Sequence, residues 1–279
     1  MGCLNSSQKF KHVFGNIHLS GPCNRACYFC IGQHMMALDA ENNLGEWPLK
    51  GIDSFVEECI LAGVTEIYVT GTNTDPLMYQ HTAELKEYLL RRIPELVFGI
   101  RTNGAMHTSP KFEHYDKGSI TICSLNPEIH TKMMGKGSPA DLEYIVKKWG
   151  NKFKVNIVLG PEQDMTDICQ TLMKCMALGI TSVNLREPYG QPHVGNPLRD
   201  YIQTGEVYGM PVYSMVNDMN VVYWDVHYCE VESINLYANG RISHDYPISR
   251  GHDAEGIVLK QSNFEHGRHN EQWVKIKKD

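Results

Sequence analysis

Along residues 12–20, Val13, Phe14, Ile17 and Leu19 are interleaved with polar or small residues and followed by Gly21-Pro22, which predicts a strand running into a loop. Across 51–62 the apolar residues Ile52, Phe55, Val56, Cys59 and Ile60 recur at helical spacing, with Gly63 as a stop. The alternation then repeats. It predicts strands over 66–70, 97–101, 119–123, 154–159 and 182–185, and helices over 82–92, 140–149 and 166–178. Only the connection over 106–118 lacks a helical pattern.

Six strands separated mostly by helices imply right-handed βαβ units and a parallel sheet, closed or partly closed. In a parallel barrel the chemistry gathers at the carboxyl ends of the strands. Polar residues cluster at those predicted ends: Gly71-Thr72-Asn73-Thr74-Asp75, Thr102-Asn103, Ser124 with Asn126, Gly160 with Glu162, and Arg186-Glu187. After Asn196 the pattern changes to a short helix over 198–207 and then β-rich stretches over 212–230 and 233–236. Asn239-Gly240 is a hairpin signal before 241–243. The expected organisation is a barrel over 1–203 with an extension or lid over 204–279.

Composition narrows the function classes. The hydrophobic and charged fractions, 42% and 21%, are those of an ordinary globular chain. A net charge of -6 offers no electrostatic reason for strong nucleic-acid binding. No apolar run approaches the roughly 18 residues a membrane span needs. Six of the nine cysteines are scattered without disulfide-framework spacing, which points to a reducing cytoplasmic setting. The opening Met1-Gly2-Cys3 fits a lipidation pattern that only a eukaryotic host would read.

The other three, Cys23, Cys27 and Cys30, lie within eight residues in the loop after the first strand. A cubane iron-sulfur cluster takes four thiolates, one per iron. Three close thiolates leave one iron open, as catalytic zinc sites are left one ligand short. The amino and carboxylate groups of S-adenosylmethionine can fill that corner, and an electron from the cluster then breaks the adjacent carbon-sulfur bond. Cofactors would carry the hard chemistry while the protein orients them.

The run Cys23-Asn24-Arg25-Ala26-Cys27-Tyr28-Phe29-Cys30 resembles the signature of the radical S-adenosylmethionine (radical SAM) superfamily, including the aromatic Phe29 before the third cysteine. The resemblance extends over roughly residues 12–200 and implies a partial (β/α)6 TIM-like barrel, here with a C-terminal β-rich extension. It implies a [4Fe-4S] cluster on Cys23, Cys27 and Cys30, S-adenosyl-L-methionine as second cofactor, and an electron donor such as a flavodoxin or ferredoxin. The family's glycine-rich motif has its counterpart in Gly71, Thr72, Asn73 and Thr74, although Thr72 and Asn73 replace the usual second glycine and glutamate. By the same resemblance Thr102, Asn103, Ser124, Asn126 and Asn156 would contact the ribose and carboxylate of the cofactor, with Leu185 near the adenine. Arg186 would pair with a carboxylate of cofactor or substrate, and Tyr189, Gln191 and His193 lie where a substrate would approach. Arg186 and Tyr189 are therefore the candidate catalytic side chains. The branch with molybdenum-cofactor and peptide-modifying members is the nearest in flavour, without its auxiliary-cluster cysteines. It leaves a small molecule, a nucleotide or a peptide as substrate.

Three alternatives stand beside this reading: zinc or free thiols at the cysteines, a radical isomerase that regenerates S-adenosylmethionine, and a non-enzymatic iron-sulfur or zinc protein. Cys59, Cys169 and Cys175 fall on apolar helix faces and Cys123 ends a strand, so all four read as small core residues. Cys229 stands alone among later cysteines. His244, His252, His266 and His269 match no common zinc spacing. His34-Met35-Met36 reads as a surface loop, and Asp75 as the holder of a turn.

Overall fold

A computed structural model describes residues 13–35, 41–188, 194–225 and 231–244. It contains β1 (Val13–Leu19), a helical turn α1 (Gly32–Met35), α2 (Ile52–Leu61), β2 (Glu66–Gly71), α3 (Thr82–Arg92), β3 (Val97–Thr102), β4 (Lys117–Ile122), α4 (Pro127–Met134), α5 (Leu142–Trp149), β5 (Phe153–Val158), α6 (Met165–Ala177) and β6 (Ser182–Arg186). Five further strands follow: β7 (Gly205–Val207), β8 (Met210–Ser214), β9 (Asn220–Trp224), β10 (Glu232–Leu236) and β11 (Ile242–Ser243).

Side chains alternate between the two faces of a strand. Ile17, Leu19, Ile67, Val69, Phe98, Ile100, Ile157 and Leu185 point to the helix side and join Phe55, Leu85, Leu89 and Ile168 in the main core. Each such burial stabilises by about 1.5–3 kcal/mol relative to exposure. The alternate positions, Asn16, His18, Tyr68, Thr70, Arg101, Thr121 and Asn156, line cavities on the other face. The concave interior is thus largely polar, and the hydrophobic core lies between sheet and helices.

The sheet runs β11-β10-β1-β2-β3-β4-β5-β6-β9-β8-β7. Strands β1 to β6 are parallel in sequence order, as the sequence predicts. The parallel series is longer than six, because β10 pairs parallel with β1 and β9 parallel with β6. Strands from the C-terminal stretch therefore extend both edges of the sheet. Phe14 on β1, Trp224 and Val222 on β9, Met210 on β8 and Val231 form a second apolar cluster, so the curled sheet brings its two sides together. Of the extension or lid expected over 204–279, residues 226–230 and 245–279 lie outside the described residues.

Three local departures have physical causes. The predicted helix over 198–207 is instead a turn followed by β7. Tyr208 and Gly209 both have positive φ, 52° and 78°, as the two central residues of a type I′ hairpin turn require, and Val207 pairs with Met210. Helix α4 was not predicted. It is only eight residues long, but its start carries clear signals: Pro127 at the first position, and Asn126 Oδ1 accepting from the Glu128 amide at 2.9 Å. His34 and Met35 belong to α1 rather than to a loop, while Met36 lies outside the described residues. The connection between β3 and β4 carries only a short 3-10 segment, Pro110–His114, in agreement with its weak pattern.

Candidate active site

After β1 the chain forms a loop that neighbouring elements hold from three sides. The Ala26 and Tyr28 amides donate to the Met134 and Met133 carbonyls at 3.1 and 3.3 Å. These carbonyls end α4, where a helix leaves acceptors without internal partners. The buried Arg25 guanidinium donates to the Lys136 and Ser138 carbonyls. From the β2 side, Thr74 Oγ1 donates to the Pro22 carbonyl at 2.6 Å. Gly32 packs so closely that an added Cβ would lie 1.7 Å from the Thr72 carbonyl oxygen.

Held this way, Cys23, Cys27 and Cys30 all line one cavity of about 240 Å³ at the carboxyl ends of the strands. Their sulfurs rest on three different elements. Cys23 Sγ lies 3.9 Å from Asn103 Nδ2 beyond β3, Cys27 Sγ 4.0 Å from the Met134 carbonyl, and Cys30 Sγ 3.6 Å from the Thr72 carbonyl. Burial raises the pKa of all three thiols, that of Cys27 to about 12, with Cys30 and Cys23 adding to the rise. A metal must therefore displace protons to bind here.

The donor set can be tested against the implied cluster. Three soft sulfur donors propped on separate elements around a cavity suit three corners of a polynuclear centre. Among the described residues, no three His, Cys, Asp or Glu side chains converge as a single ion would require. The residues present fit an iron-sulfur cluster better than mononuclear zinc, which needs a compact tetrahedron.

Of the other site residues expected from sequence, Phe29, Gly71, Thr74, Thr102, Asn103, Asn156 and Arg186 line the same cavity. Gly71 is required by the turn: a Cβ there would lie 1.8 Å from the Thr74 carbonyl oxygen. Asp75 does hold this turn. Its carboxylate accepts from the Leu77 amide (3.0 Å), Thr102 Oγ1 (2.7 Å) and the Asn103 amide (2.8 Å), tying the loop after β2 to the loop after β3. Burial pushes its pKa up against those three hydrogen bonds.

Five candidates sit elsewhere. Thr72 Oγ1 donates to the Leu19 carbonyl, and Asn73 Oδ1 accepts from Ser20 Oγ and the Gly21 amide, so both secure the start of the cysteine loop. Ser124 Oγ donates to Asp167, and Asn126 caps α4. Leu185 is corrected most plainly: it is fully buried in the helix-side core, on the face away from the cavity. Tyr189, Gln191 and His193 lie outside the described residues, as do Cys3, Cys229, His252, His266 and His269. His244 Nε2 contacts Glu58 Oε2 at 2.7 Å. Cys59, Cys123 and Cys175 are buried as expected, whereas Cys169 is exposed.

The cavity also has a polar wall that motif reading missed. Arg101 Nη1 donates to Asn16 Oδ1 at 2.6 Å, and Asn16 Nδ2 donates to Asn235 Oδ1 at 2.9 Å. His18 Nε2 lies 3.1 Å from the same Asn235 oxygen, and its ring stacks on Tyr237 with centroids 4.9 Å apart. Burial lowers the His18 pKa to about 4, so the ring is neutral and donates from Nε2. The available signal was polar residues at the inward phase of β1, where Asn16 and His18 alternate with Ile17 and Leu19.

Fold and site together define an α/β-barrel enzyme scaffold with a thiol-lined centre at the carboxyl ends of its strands. The sequence model of the radical SAM superfamily matches residues 17–175, more than half of the chain. The chain belongs to the radical SAM superfamily, a family of enzymes that use a [4Fe-4S] cluster and S-adenosylmethionine. No curated protein sequence matches it. Among solved structures, SuiB of Streptococcus suis is similar at 14% identity and a TM-score of 0.56, over 83% of this chain and 60% of that one. SuiB bound to its precursor peptide SuiA gives 14%, 0.55, 83% and 59%. SuiB bound to S-adenosylmethionine gives 16% and 0.48 over 67% and 40%. The chain thus spans at most 60% of the length of these structures, and the likeness concerns the fold.

Proposed function

We propose that Cys23, Cys27 and Cys30 ligate three irons of a [4Fe-4S] cluster and that the chain cleaves S-adenosylmethionine reductively to oxidise or rearrange an organic substrate. The observation that carries this reading is the placement of three thiols from one loop around a single cavity at the strand ends. When bound, the cluster and S-adenosylmethionine supply a 5'-deoxyadenosyl radical able to abstract hydrogen from an unactivated carbon.

The chain's own residues bind and orient. Asn103, held through its amide by Asp75 and through Nδ2 by Asn24 Oδ1 at 2.7 Å, presents polar groups beside Cys23. Thr102 and Asn156 add polar groups to the cavity wall, and Asn156 is steadied by Asn184 Nδ2 at 3.0 Å. The Arg186 guanidinium, over the Trp224 ring at 5.6 Å, is suited to a carboxylate of cofactor or substrate. Phe29 gives the mouth an apolar side, and Gly71 and Thr74 shape the turn beside it. The reaction needs an external one-electron donor, a role suited to a small flavin or iron-sulfur protein. A substrate in the polar interior is a small molecule or one residue of a peptide; SuiB's structure with a precursor peptide lends the second some support.

Anaerobic reconstitution followed by reduction with S-adenosylmethionine tests the proposal. The expected result is about four irons per chain, formation of 5'-deoxyadenosine, and loss of both in C23A, C27A and C30A. Bound zinc, or a filled cluster that yields no 5'-deoxyadenosine, overturns it. Counting methionine and 5'-deoxyadenosine per product separates consumption of S-adenosylmethionine from its regeneration.

A further inference from the structure

A second cavity, of about 260 Å³, lies deeper in the barrel and shares Arg101, Asn156 and Arg186 with the thiol-lined one. Five cations line it, Arg101, Lys117, Lys152, Lys154 and Arg186, against one carboxylate among the described residues, Glu66. That carboxylate is already engaged: Glu66 Oε1 accepts from Lys117 Nζ at 2.6 Å and Oε2 from Tyr68 Oη at 2.9 Å.

Lys154 is the decisive residue. It occupies the second position of β5, where the register pairs it with Ser119 on β4, and Ser119 in turn with Arg101 on β3. Two cations therefore flank one hydroxyl on the inner wall, with Lys117 two residues before Ser119 on the same face of β4. The Lys154 side chain is open to the cavity and, among the described residues, has no hydrogen bond or ion pair. Surrounding protein and the charges of Arg101, Arg186 and Lys117 lower its pKa to about 8, with Glu66 opposing. Arg101 has no counter-ion among the described residues and is held over the rings of Tyr68 (4.6 Å) and Phe14 (5.1 Å). Gly99 makes room for this stack, since a Cβ there would lie 2.4 Å from the Tyr68 ring. Like charges gathered round one cavity repel one another and raise the local positive potential. An anion seated between them relieves that repulsion.

We propose that this lower cavity binds an anionic group of the substrate, a phosphate or a carboxylate, between Lys154, Ser119 and Arg101. The inference rests on the radical SAM reading and adds the substrate class: a small anionic molecule whose charged end is gripped at the barrel floor and whose reacting carbon lies toward the cysteines.

The test titrates anaerobically reconstituted protein by calorimetry with inorganic phosphate and, separately, with tricarballylate, against potassium chloride at matched ionic strength. The stronger of the two anions identifies the source of the charge. Binding should weaken by at least about tenfold in K154M, the scale of a lost charged hydrogen bond. S182D supplies a second variant, because Ser182 lines the same cavity and precedes Val183, the partner of Val155. A carboxylate there would occupy Lys154 from within and should weaken binding similarly. Anions binding the wild type no better than chloride, or binding both variants as tightly as wild type, would overturn the inference. Formation of 5'-deoxyadenosine by the same wild-type preparation is measured in parallel. Its absence would count against the cofactor reading alone, and anion indifference beside normal cofactor cleavage against this inference alone.

Discussion

Replacing Asp75 by alanine removes the one carboxylate that joins the loop after β2 to the loop after β3. Three donors lose their acceptor: the Leu77 amide, Thr102 Oγ1 and the Asn103 amide. A buried donor left unsatisfied costs about 1–3 kcal/mol, which sets a gross loss of about 3–9 kcal/mol for three. Two effects reduce it. Water can enter from the adjoining cavity, and the desolvation that raises the Asp75 pKa disappears with the charge. The expected net loss is about 2–4 kcal/mol, a large share of a typical stability of 5–15 kcal/mol. Since Asn103 Nδ2 also reaches Asn24 and lies near Cys23, iron retention after reconstitution should fall as well. D75N keeps one acceptor oxygen and should lose only about 1–2 kcal/mol. Urea unfolding followed by far-ultraviolet circular dichroism, with iron per chain measured in parallel, provides the readout. A D75A protein within about 0.5 kcal/mol of wild type, with full iron, would refute the idea that this carboxylate organises the site.

Other outcomes follow from neighbouring contacts. G71A should lose about 1–3 kcal/mol in urea unfolding, because its Cβ would lie 1.8 Å from the Thr74 oxygen and the turn must open. R25M removes two bonds from a buried guanidinium to the Lys136 and Ser138 carbonyls and should cost about 2–4 kcal/mol, with faster proteolysis after Lys136 as the local readout. Y28F loses only the 2.8 Å bond to Glu162 and should cost about 0.5–1.5 kcal/mol in the same unfolding assay. Lys154 supplies a pH signature. Its folded pKa of about 8 lies below the ordinary 10.5, so between those values the unfolded chain holds the proton that the folded chain has released, and stability rises with pH. The buried thiols, whose raised pKa values act in the opposite sense, are common to both proteins, so the stability of wild type relative to K154M should rise between pH 8 and 10.5 in unfolding measurements.

Helical spacing in 51–62 and period-two alternation in 12–20 placed elements correctly, because one-sided burial against a common core is a local property of the sequence. Helix α4 escaped the same reasoning: two turns are too short for a clear period, and only its Asn126-Pro127 cap marks it. The turn at Tyr208-Gly209 defeated the helical reading of 198–207, where backbone sign outweighed a weak apolar pattern.

The sequence by itself determined the βα order and the grouping of Cys23, Cys27 and Cys30, since three thiols within eight residues share a loop whatever the rest of the chain does. It also determined Gly71 and Asp75, whose roles are confined to one turn and its immediate neighbour. Only the tertiary structure decided which strands flank β1 and β6, because β10 and β9 arrive there from more than thirty residues away in sequence. It likewise decided that Leu185 faces the helices while Asn16, His18, Arg101 and Lys154 face inward. The physical reason is that pattern gives the period of a strand, whereas the phase of that period relative to a cavity is set by long-range register and sheet curvature.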